Sequence, residues 1–145
     1  MIVRQASPAD GVAIASLLNA LLGTTSIEWT DEPRTAQDVA DWLDEHETVL
    51  VADEGGEIVG VAAFGWFRDV VKWPGYRFTV ENTIHVREDH WGSGVGRELM
   101  RALIEKAQYS GKHTMVAAVD GANEGSILKG WLQRGITFAG SLPAK

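Results

Sequence analysis

The 145-residue sequence predicts one α/β domain over residues 1–145, with a mostly antiparallel sheet in its first half and a crossover helix in its second. Three observations support that fold class. Some segments repeat apolar residues at helical spacing, others are short apolar runs of strand length, and turn-forming residues separate them. A chain of this size buries roughly two thirds of its unfolded surface, so a single shared core is sufficient.

The composition excludes several classes of protein. A hydrophobic fraction of 45% and a charged fraction of 23% are typical of a soluble globular domain. The formal net charge of -7 disfavours a nucleic acid or an anionic membrane as a partner. The sequence contains no cysteine, which excludes a thiolate nucleophile and a thiolate metal site. We find no apolar run of membrane-spanning length and no signal peptide, and we expect a cytoplasmic protein.

A strand and two helices are predicted in the first part of the chain. Met1–Arg4 begins as an apolar strand, and Ser7 with Pro8 starts a helix that is expected to end near Gly23. Thr35 caps a second, short helix. The apolar stripe of the first helix consists of Ile14, Leu17, Leu18, Leu21 and Leu22, and the second helix presents Val39, Trp42 and Leu43.

Three strands follow the helices. Thr48–Ala52 and Ile58–Phe67 flank the hairpin signal Asp53–Gly56. Because the second run is apolar without alternation, it predicts a central strand with helices on both faces of the sheet. Phe78–Val86 does alternate, which predicts one apolar and one polar face. The apolar positions are Val80, Ile84 and Val86, and the polar positions are Thr79, Glu81, Thr83 and His85.

The last part of the chain predicts two further helices and two strands. A clear helix covers residues 96–109, and His113–Val119 reads as a buried strand. Asn123 can cap a last helix, and Ile136–Ala139 predicts one more short strand. The apolar stripe of the first of these helices consists of Val95, Leu99, Leu103 and Ala107.

The most informative stretch is the turn between strand 78–86 and helix 96–109. Gly92, Gly94 and Gly96 remove three side chains, so consecutive backbone N–H groups can converge at a helix N-terminus. That arrangement suits a pyrophosphate. A flexible loop whose glycines only serve turns is the structural alternative.

Other motifs fit this turn poorly. No lysine follows the glycines, as a Walker A loop requires, and Arg97 stands where a dinucleotide fingerprint has its third glycine. The dinucleotide reading therefore stays a weaker alternative. A serine-hydrolase elbow needs glycine two residues before and two residues after the serine, but Trp91 and Val95 stand at those positions around Ser93. The histidines at positions 46, 85, 90 and 113 have no metal-ligand spacing, so no metal site is expected.

Five sequence blocks carry a resemblance to a known family. They are Ile27–Pro33, Ala63–Arg68, Gly75–Glu81, Gly92–Gly96 and Met115–Ile127. In this order they resemble the GNAT superfamily of acetyl-CoA-dependent N-acetyltransferases, and more narrowly its phosphinothricin and methionine sulfone or sulfoximine acetyltransferase branch. The resemblance implies the GNAT fold, a mixed and mostly antiparallel sheet with helices on both faces, and it implies a homodimer.

The resemblance also implies acetyl-CoA as co-substrate and assigns the residues that hold it. Backbone amides of residues 92–97 hold the pyrophosphate, and the pantetheine arm pairs with the backbone of Ile84–Val86. Asn123 and Ser126 match positions that touch the cofactor. The implied cofactor-binding set is Ile84, His85, Val86, Gly92, Ser93, Gly94, Val95, Gly96, Arg97, Asn123 and Ser126.

Amine acetylation requires a neutral nitrogen and a stabilised oxyanion. Glu81 lies on the polar strand face and matches the glutamate that similar enzymes keep, so it is the predicted general base, directly or through a water. A backbone N–H near Val86 could serve the oxyanion. Arg68 could hold a substrate carboxylate in a bidentate pair. The predicted substrate-binding residues are Trp29, Arg68, Gly75 and Tyr76.

Three features depart from the family's pattern. Trp91 stands where Gln or Arg is usual, so weakened cofactor binding is expected. The last helix lacks the tyrosine that protonates the leaving thiolate in many GNAT enzymes, which leaves the general acid unassigned. The family's aromatic final strand is expected to be missing before Lys145. We then expect a second subunit or further residues to cover the edge of strand 113–119.

The sequence therefore predicts an enzyme that moves acetyl from acetyl-CoA to the amine of a small amino acid or analogue by direct attack. Two alternatives stay open. One is a GNAT-like module that binds acyl-CoA with little or no turnover. The other is an acetyltransferase for a different amine, such as a protein N-terminus or an aminoglycoside.

Overall fold

The computed structural model describes residues 1–22, 32–117, 119–120 and 141–142. These residues form a five-stranded sheet with helices on both faces, together with a separate pair of short strands. The strands are β1 (Ile2–Gln5), β2 (Thr48–Glu54), β3 (Glu57–Trp66), β4 (Thr79–Val86), β5 (Thr114–Ala117), β6 (Val119–Asp120) and β7 (Ser141–Leu142). The helices are α1 (Gly11–Ala20), α2 (Ala36–Glu45) and α3 (Val95–Tyr109).

The sheet is mixed and mostly antiparallel, in the order β1-β2-β3-β4-β5. The first four strands pair antiparallel, whereas β5 runs parallel to β4 after the α3 crossover. This arrangement confirms the predicted fold class. Within the predicted strand 113–119, the structure describes β5 over Thr114–Ala117 and the start of β6 at Val119, and β6 pairs parallel with β7. The predicted last helix and the predicted strand 136–139 lie outside the described residues.

Two apolar layers enclose the sheet. The long run of β3 is buried on both faces, as its lack of alternation predicted. One layer packs α3 against the sheet and contains Leu50, Phe64, Val80, Leu99, Leu103, Ile104 and Met115. The opposite layer packs α1 and α2 against it and contains Ile14, Leu17, Leu18, Val39, Val49, Val51 and Val61.

The helix starts follow the predicted capping residues. Thr35 Oγ1 accepts a hydrogen bond from Asp38 N at 3.1 Å, and Asp38 Oδ2 accepts one from Thr35 N at 2.8 Å. Residues 8–10 form one 3-10 turn, so α1 itself begins at Gly11 rather than at the predicted Pro8. The longest described helix, α3, has 15 residues, and no described helix has the length and hydropathy needed to cross a membrane.

Gly60 sets how closely α3 approaches β3. A Cβ at this position would lie 2.7 Å from Leu99 Cδ1, 3.1 Å from Val95 Cγ1 and 3.3 Å from His85 O. Only a glycine permits this contact, since Leu99 is itself fully buried and has little room to move. The start of α3 is therefore held directly against the middle of the sheet.

Candidate functional site

Strand β4 continues beyond the end of its pairing with β5. The parallel pairing runs from Thr79 opposite Thr114 to Asn82 opposite Ala117. Residues 83–86 extend β4 past that point, and within the described residues they pair only with β3. We call this stretch the open edge of β4, and its inner end is the Asn82–Ala117 pair.

The backbone groups of the even-numbered residues in the open edge point away from β3. Arg87 N donates to Val59 O at 2.8 Å, so the odd-numbered residues of this ladder bond to β3. The backbone groups of Ile84 and Val86 consequently lie on the other side of the strand. The indole Nε1 of Trp91 donates to Val86 O at 2.8 Å, in agreement with that direction. The sequence did not indicate this hydrogen bond, because nothing in the spacing shows which carbonyl the indole reaches.

The glycines before α3 have distinct backbone requirements. Gly92 and Gly94 have φ values of +78° and +92°, in the left-handed region that side chains disfavour. Gly96 has an ordinary φ, and a Cβ there would only contact Val86 Cγ2 at 3.6 Å. The turn chemistry therefore demands glycine at positions 92 and 94, and tolerates alanine at 96.

The first turn of α3 presents its backbone amides at the loop. The helical ladder begins where Glu98 N donates to Gly94 O at 3.1 Å. The amides of Val95 and Gly96 precede that bond, at the helix start, where backbone N–H groups lie before the first i to i−4 acceptor of the helix. Together with the positive end of the helix dipole, they favour an anion at this point.

The loop leading into α3 is tied down by its own turns and by an ionic cluster. Ser93 N donates to His90 O at 3.2 Å, so this amide, which was predicted to bind cofactor, is engaged within the loop. The His90 ring bridges Asp89 through Nδ1 at 2.9 Å and Glu54 through Nε2 at 3.0 Å. These hydrogen bonds, with Asp89 first, raise the pKa of His90. Hydrogen bonding from Arg87 lowers the pKa of Asp89 to about 2.

Glu81 lies on the opposite sheet face from α3. Its side chain is exposed, and it stands between Gly65 on β3 and Val116 on β5. Thr83 and His85 continue the same face along the open edge, and Thr83 Oγ1 lies 2.9 Å from His85 Nε2. The alternation read from the sequence thus describes a real polar row on β4.

Arg68 and Tyr76, two of the predicted substrate residues, lie beside the ring of Phe67, which was not among the predicted site residues. The Arg68 guanidinium lies 3.8 Å from the centroid of the Phe67 ring, and Arg68 Nη1 donates to Phe67 O at 2.9 Å. The Tyr76 ring centroid is 6.0 Å from that of Phe67. Gly75 is exposed in a short 3-10 turn, Pro74–Tyr76. The position of Phe67, directly after a buried strand, was the available signal.

Three predicted site residues lie outside the described part of the chain, and one cavity lies away from the predicted substrate residues. Trp29, Asn123 and Ser126 lie outside the described residues. A cavity of about 340 Å³ between the end of α1 and residues 87–89 has none of the predicted substrate residues in its lining. In the described ranges, no group of three or more His, Cys, Asp or Glu side chains could hold a metal ion.

The fold is that of an α/β protein with a mixed sheet, in which an open strand edge lies beside a glycine turn and a helix start that favours an anion. The model of the Acetyltransferase (GNAT) family matches residues 14–128. The chain therefore belongs to the GNAT acetyltransferase family, and it is an acetyl-CoA-dependent N-acetyltransferase by that membership. The resemblance inferred from the five sequence blocks is confirmed.

Similar proteins agree with this assignment. The chain is 37% identical over 131 residues to the L-amino acid N-acyltransferase MnaT of Escherichia coli. This alignment covers 88% of the chain and 74% of the relative. It is 34% identical over 147 residues to the L-methionine sulfoximine/L-methionine sulfone acetyltransferase of Pseudomonas aeruginosa, with 97% and 83% covered. The structure of yncA from Salmonella typhimurium with its cofactor acetyl-CoA matches with a TM-score of 0.78 at 35% identity, covering 85% of this chain and 72% of that one.

Proposed function

We propose that the chain transfers an acetyl group from acetyl-CoA to the amine of a small amino acid or amino acid analogue of the methionine sulfone, methionine sulfoximine or phosphinothricin type. The observation that carries the proposal is the open edge of β4, which joins the glycine turn at one end to the Glu81 region at the other. The names of relatives at 34–37% identity support the acceptor class.

The described residues fit acetyl-CoA without a metal or a covalent carrier. The amides at the start of α3 would hold the pyrophosphate, and positive φ at Gly92 and Gly94 allows the turn that aims them. The backbone of Ile84 and Val86 would pair with the amide groups of the pantetheine arm as an added strand does. The acyl end would then lie toward Asn82, where β5 closes the edge.

Glu81 supplies the proton acceptor in this proposal. Its carboxylate takes a proton from the substrate ammonium, directly or through a water, and leaves a nitrogen lone pair. The nitrogen attacks the thioester carbonyl, and the carbonyl electron pair moves onto oxygen, where a backbone N–H of the open edge stabilises it. The nitrogen, which became positively charged on attack, releases its second proton to water. Collapse of this intermediate breaks the carbon–sulfur bond, and the thiolate leaves and takes a proton from water. The sequence contains no cysteine, so no thiol carries the acetyl group between the two substrates.

Arg68 and Tyr76 give the acceptor site its preference for amino acids. The register sets Gly65 beside Glu81, and Arg68 follows three residues later, roughly 10 Å along the strand direction. The Arg68 guanidinium is exposed over Phe67, where it could pair with a substrate α-carboxylate in bidentate fashion. Tyr76 would form a wall for the substrate side chain, and Trp29 is proposed for the same role.

We also propose that the protein works as a homodimer in the cytoplasm. The end of β3 and the segment joining it to β4 expose several large apolar side chains, which favours a protein partner over water as their neighbour. The exposed fractions are 57% for Trp66, 89% for Val71, 52% for Trp73, 41% for Tyr76 and 39% for Phe78. Light scattering after size-exclusion chromatography should give a mass near twice the 15.8 kDa of the chain.

The function is tested by following thioester consumption with acetyl-CoA and a panel of amines. The panel contains methionine sulfone, methionine sulfoximine, phosphinothricin and a polyamine, with 3-(methylsulfonyl)propylamine as the matched amine that lacks a carboxylate. We expect turnover with at least one amino acid analogue and a large loss with the matched amine. Binding of acetyl-CoA without turnover of any amine would favour the non-catalytic module, and turnover of the polyamine alone would favour a different acceptor class.

A further inference from the structure

Asn82 carries a buried donor that has no acceptor within the described residues. Its side-chain Nδ2 is shielded from solvent and makes no hydrogen bond there. A buried polar group without a partner destabilises a protein by about 1–3 kcal/mol. Such a group is uncommon in folded proteins, so its position in the fold needs an explanation.

Asn82 is half-buried, and its paired neighbours on the two adjacent strands are apolar. It occupies the α3 side of the sheet, on the face opposite Glu81, between Phe64 on β3 and Ala117 on β5. Phe64 is fully buried and Ala117 is 3% exposed, and neither side chain can accept a hydrogen bond. An apolar residue at position 82 would pack here without leaving an orphan donor. The amide is therefore costly in the protein alone and becomes favourable if an acceptor arrives.

The place of Asn82 indicates where that acceptor comes from. Asn82 is the inner end of the open edge, because within the described residues its pair with Ala117 is the last one between β4 and β5. The glycine turn lies beyond the other end of the edge, after Val86. A carrier bound by its pyrophosphate at the turn would extend along the edge toward Asn82, and its amide and thioester carbonyls are acceptors.

We propose that the side-chain amide of Asn82 donates a hydrogen bond to a carbonyl oxygen of the acetyl-pantetheine arm. This inference rests on the proposed function, since it requires acetyl-CoA to bind along the open edge. Asn82 then fixes how deeply the arm enters and so aligns the thioester with the amine on the Glu81 side of the sheet. The orphan donor of the free protein becomes a contact that exists only in the complex.

The test compares Asn82→Leu with a matched substitution at an amide that is already satisfied. Asn19 accepts from Arg34 N at 2.7 Å and donates to Arg34 O at 3.0 Å, so Asn19→Leu is that control. Thermal unfolding of the free proteins and calorimetric titration with acetyl-CoA are the readouts. We expect Asn82→Leu to keep or raise the melting temperature while weakening acetyl-CoA binding roughly 5- to 100-fold. Asn19→Leu should lower the melting temperature by a few degrees and leave the affinity unchanged.

A second variant and a second ligand complete the experiment. Asn82→Ala is titrated in parallel, and its affinity decides the outcome if the leucine does not fit. Equal losses with free coenzyme A and acetyl-CoA would assign the bond to a pantetheine amide, and a loss with acetyl-CoA alone would assign it to the thioester. Unchanged affinity in the folded variants would overturn the inference. Absence of binding by the folded wild-type protein would instead contradict the proposed function.

Discussion

At the scale of single residues, the Glu81 side chain is exposed and lies beside a residue that has no side chain. It lies opposite Gly65, which has no side chain to cover the carboxylate. A Cβ at Gly65 would lie 3.4 Å from His46 Cδ2, so the space beside Glu81 is bounded by the end of α2. The alternation of β4 predicted the face on which Glu81 lies, whereas this neighbourhood depends on pairing with β3.

Replacing Glu81 with glutamine should remove the proton acceptor and preserve the shape of the site. We expect acetyl transfer to the best amine of the panel to fall roughly 100- to 10,000-fold in thioester consumption. The affinity for acetyl-CoA should change little, since the carrier is held by backbone groups. Glu105→Gln, at an exposed position of α3, is the matched control and should keep wild-type turnover. Full activity of Glu81→Gln would contradict the assignment of Glu81 as general base.

Trp91 shows how a residue can depart from a family pattern and still have a defined contact. The sequence predicts weaker cofactor binding, because an indole cannot make the hydrogen bonds of Gln or Arg. The indole N–H instead donates to Val86 O, which links the glycine turn to the open edge of β4. This contact uses the Val86 carbonyl on the open edge, and weaker cofactor binding stays a prediction.

At the scale of elements, the position of α3 against β3 decides where the glycine turn lies. Gly60 is the point of closest approach, and both Val95 and Leu99 of the helix face it. A shift of this contact would move the first turn of α3 relative to Val86. Stability and cofactor binding are therefore coupled through one small residue.

Gly60→Ala should destabilise the protein and weaken acetyl-CoA binding together. The added Cβ would overlap the buried Leu99 side chain at 2.7 Å, and relief requires this side chain to repack or α3 to shift. We expect the free energy of unfolding in denaturant titrations to fall by about 1–3 kcal/mol. Gly11→Ala is the control, because its Cβ would lie 4.0 Å from Val39 Cγ1 and the helical φ of -56° suits alanine. A Gly60→Ala protein as stable as Gly11→Ala would show that the helix contact is looser than described.

At the scale of the whole molecule, one arginine links three parts of the chain. Arg4 on β1 makes a bidentate pair with Asp10, with both N–O distances at 2.9 Å, and Arg4 Nε donates to Asp53 at 3.2 Å on β2. Asp10 is only 9% exposed, and its Oδ2 also accepts from Ser7 N at 2.8 Å. The ion pair therefore fixes the edge strand and the start of α1 in one arrangement.

The same pair predicts how stability depends on pH. Hydrogen bonding from Arg4 lowers the pKa of Asp10 to about 2, below its usual value of 3.8. A lowered folded-state pKa stabilises the native protein fully above about pH 4, and this contribution is lost as the pH falls toward 2. Asp10→Asn should reduce the free energy of unfolding by about 1–2 kcal/mol at pH 7, and its deficit relative to wild type should shrink at pH 3. Asp44→Asn, at an exposed position of α2, is the control and should follow wild type at both pH values.

Much of the fold could be predicted because it rests on local patterns. The unbroken apolar run of β3, the hairpin before it and the stripe of α3 each appear in a short window of sequence. The register that sets Asn82 opposite Ala117 could not be predicted, because it depends on pairing with β4 rather than on the apolar run 113–119. The open edge follows from the same non-local pairing.

The candidate site was also predicted from the sequence only in part. Glycine spacing and strand alternation predicted the turn at residues 92–96 and the face of Glu81. The partner of the Trp91 indole, the ring of Phe67 under Arg68 and the orphan amide of Asn82 depend on three-dimensional neighbours. No spacing rule contains that information, so only the folded chain reveals them.

The central claim is that the turn before α3 binds acetyl-CoA through its backbone, and calorimetric titration of acetyl-CoA into wild type, Gly94→Ala and Gly96→Ala tests it most directly. Gly94 has φ +92°, so alanine there should distort the turn and weaken binding about 10-fold or more. Gly96→Ala retains its amide and adds only an ordinary contact at 3.6 Å, so it should bind like wild type. No heat with folded wild-type protein, or equal affinity in all three proteins, would contradict the account.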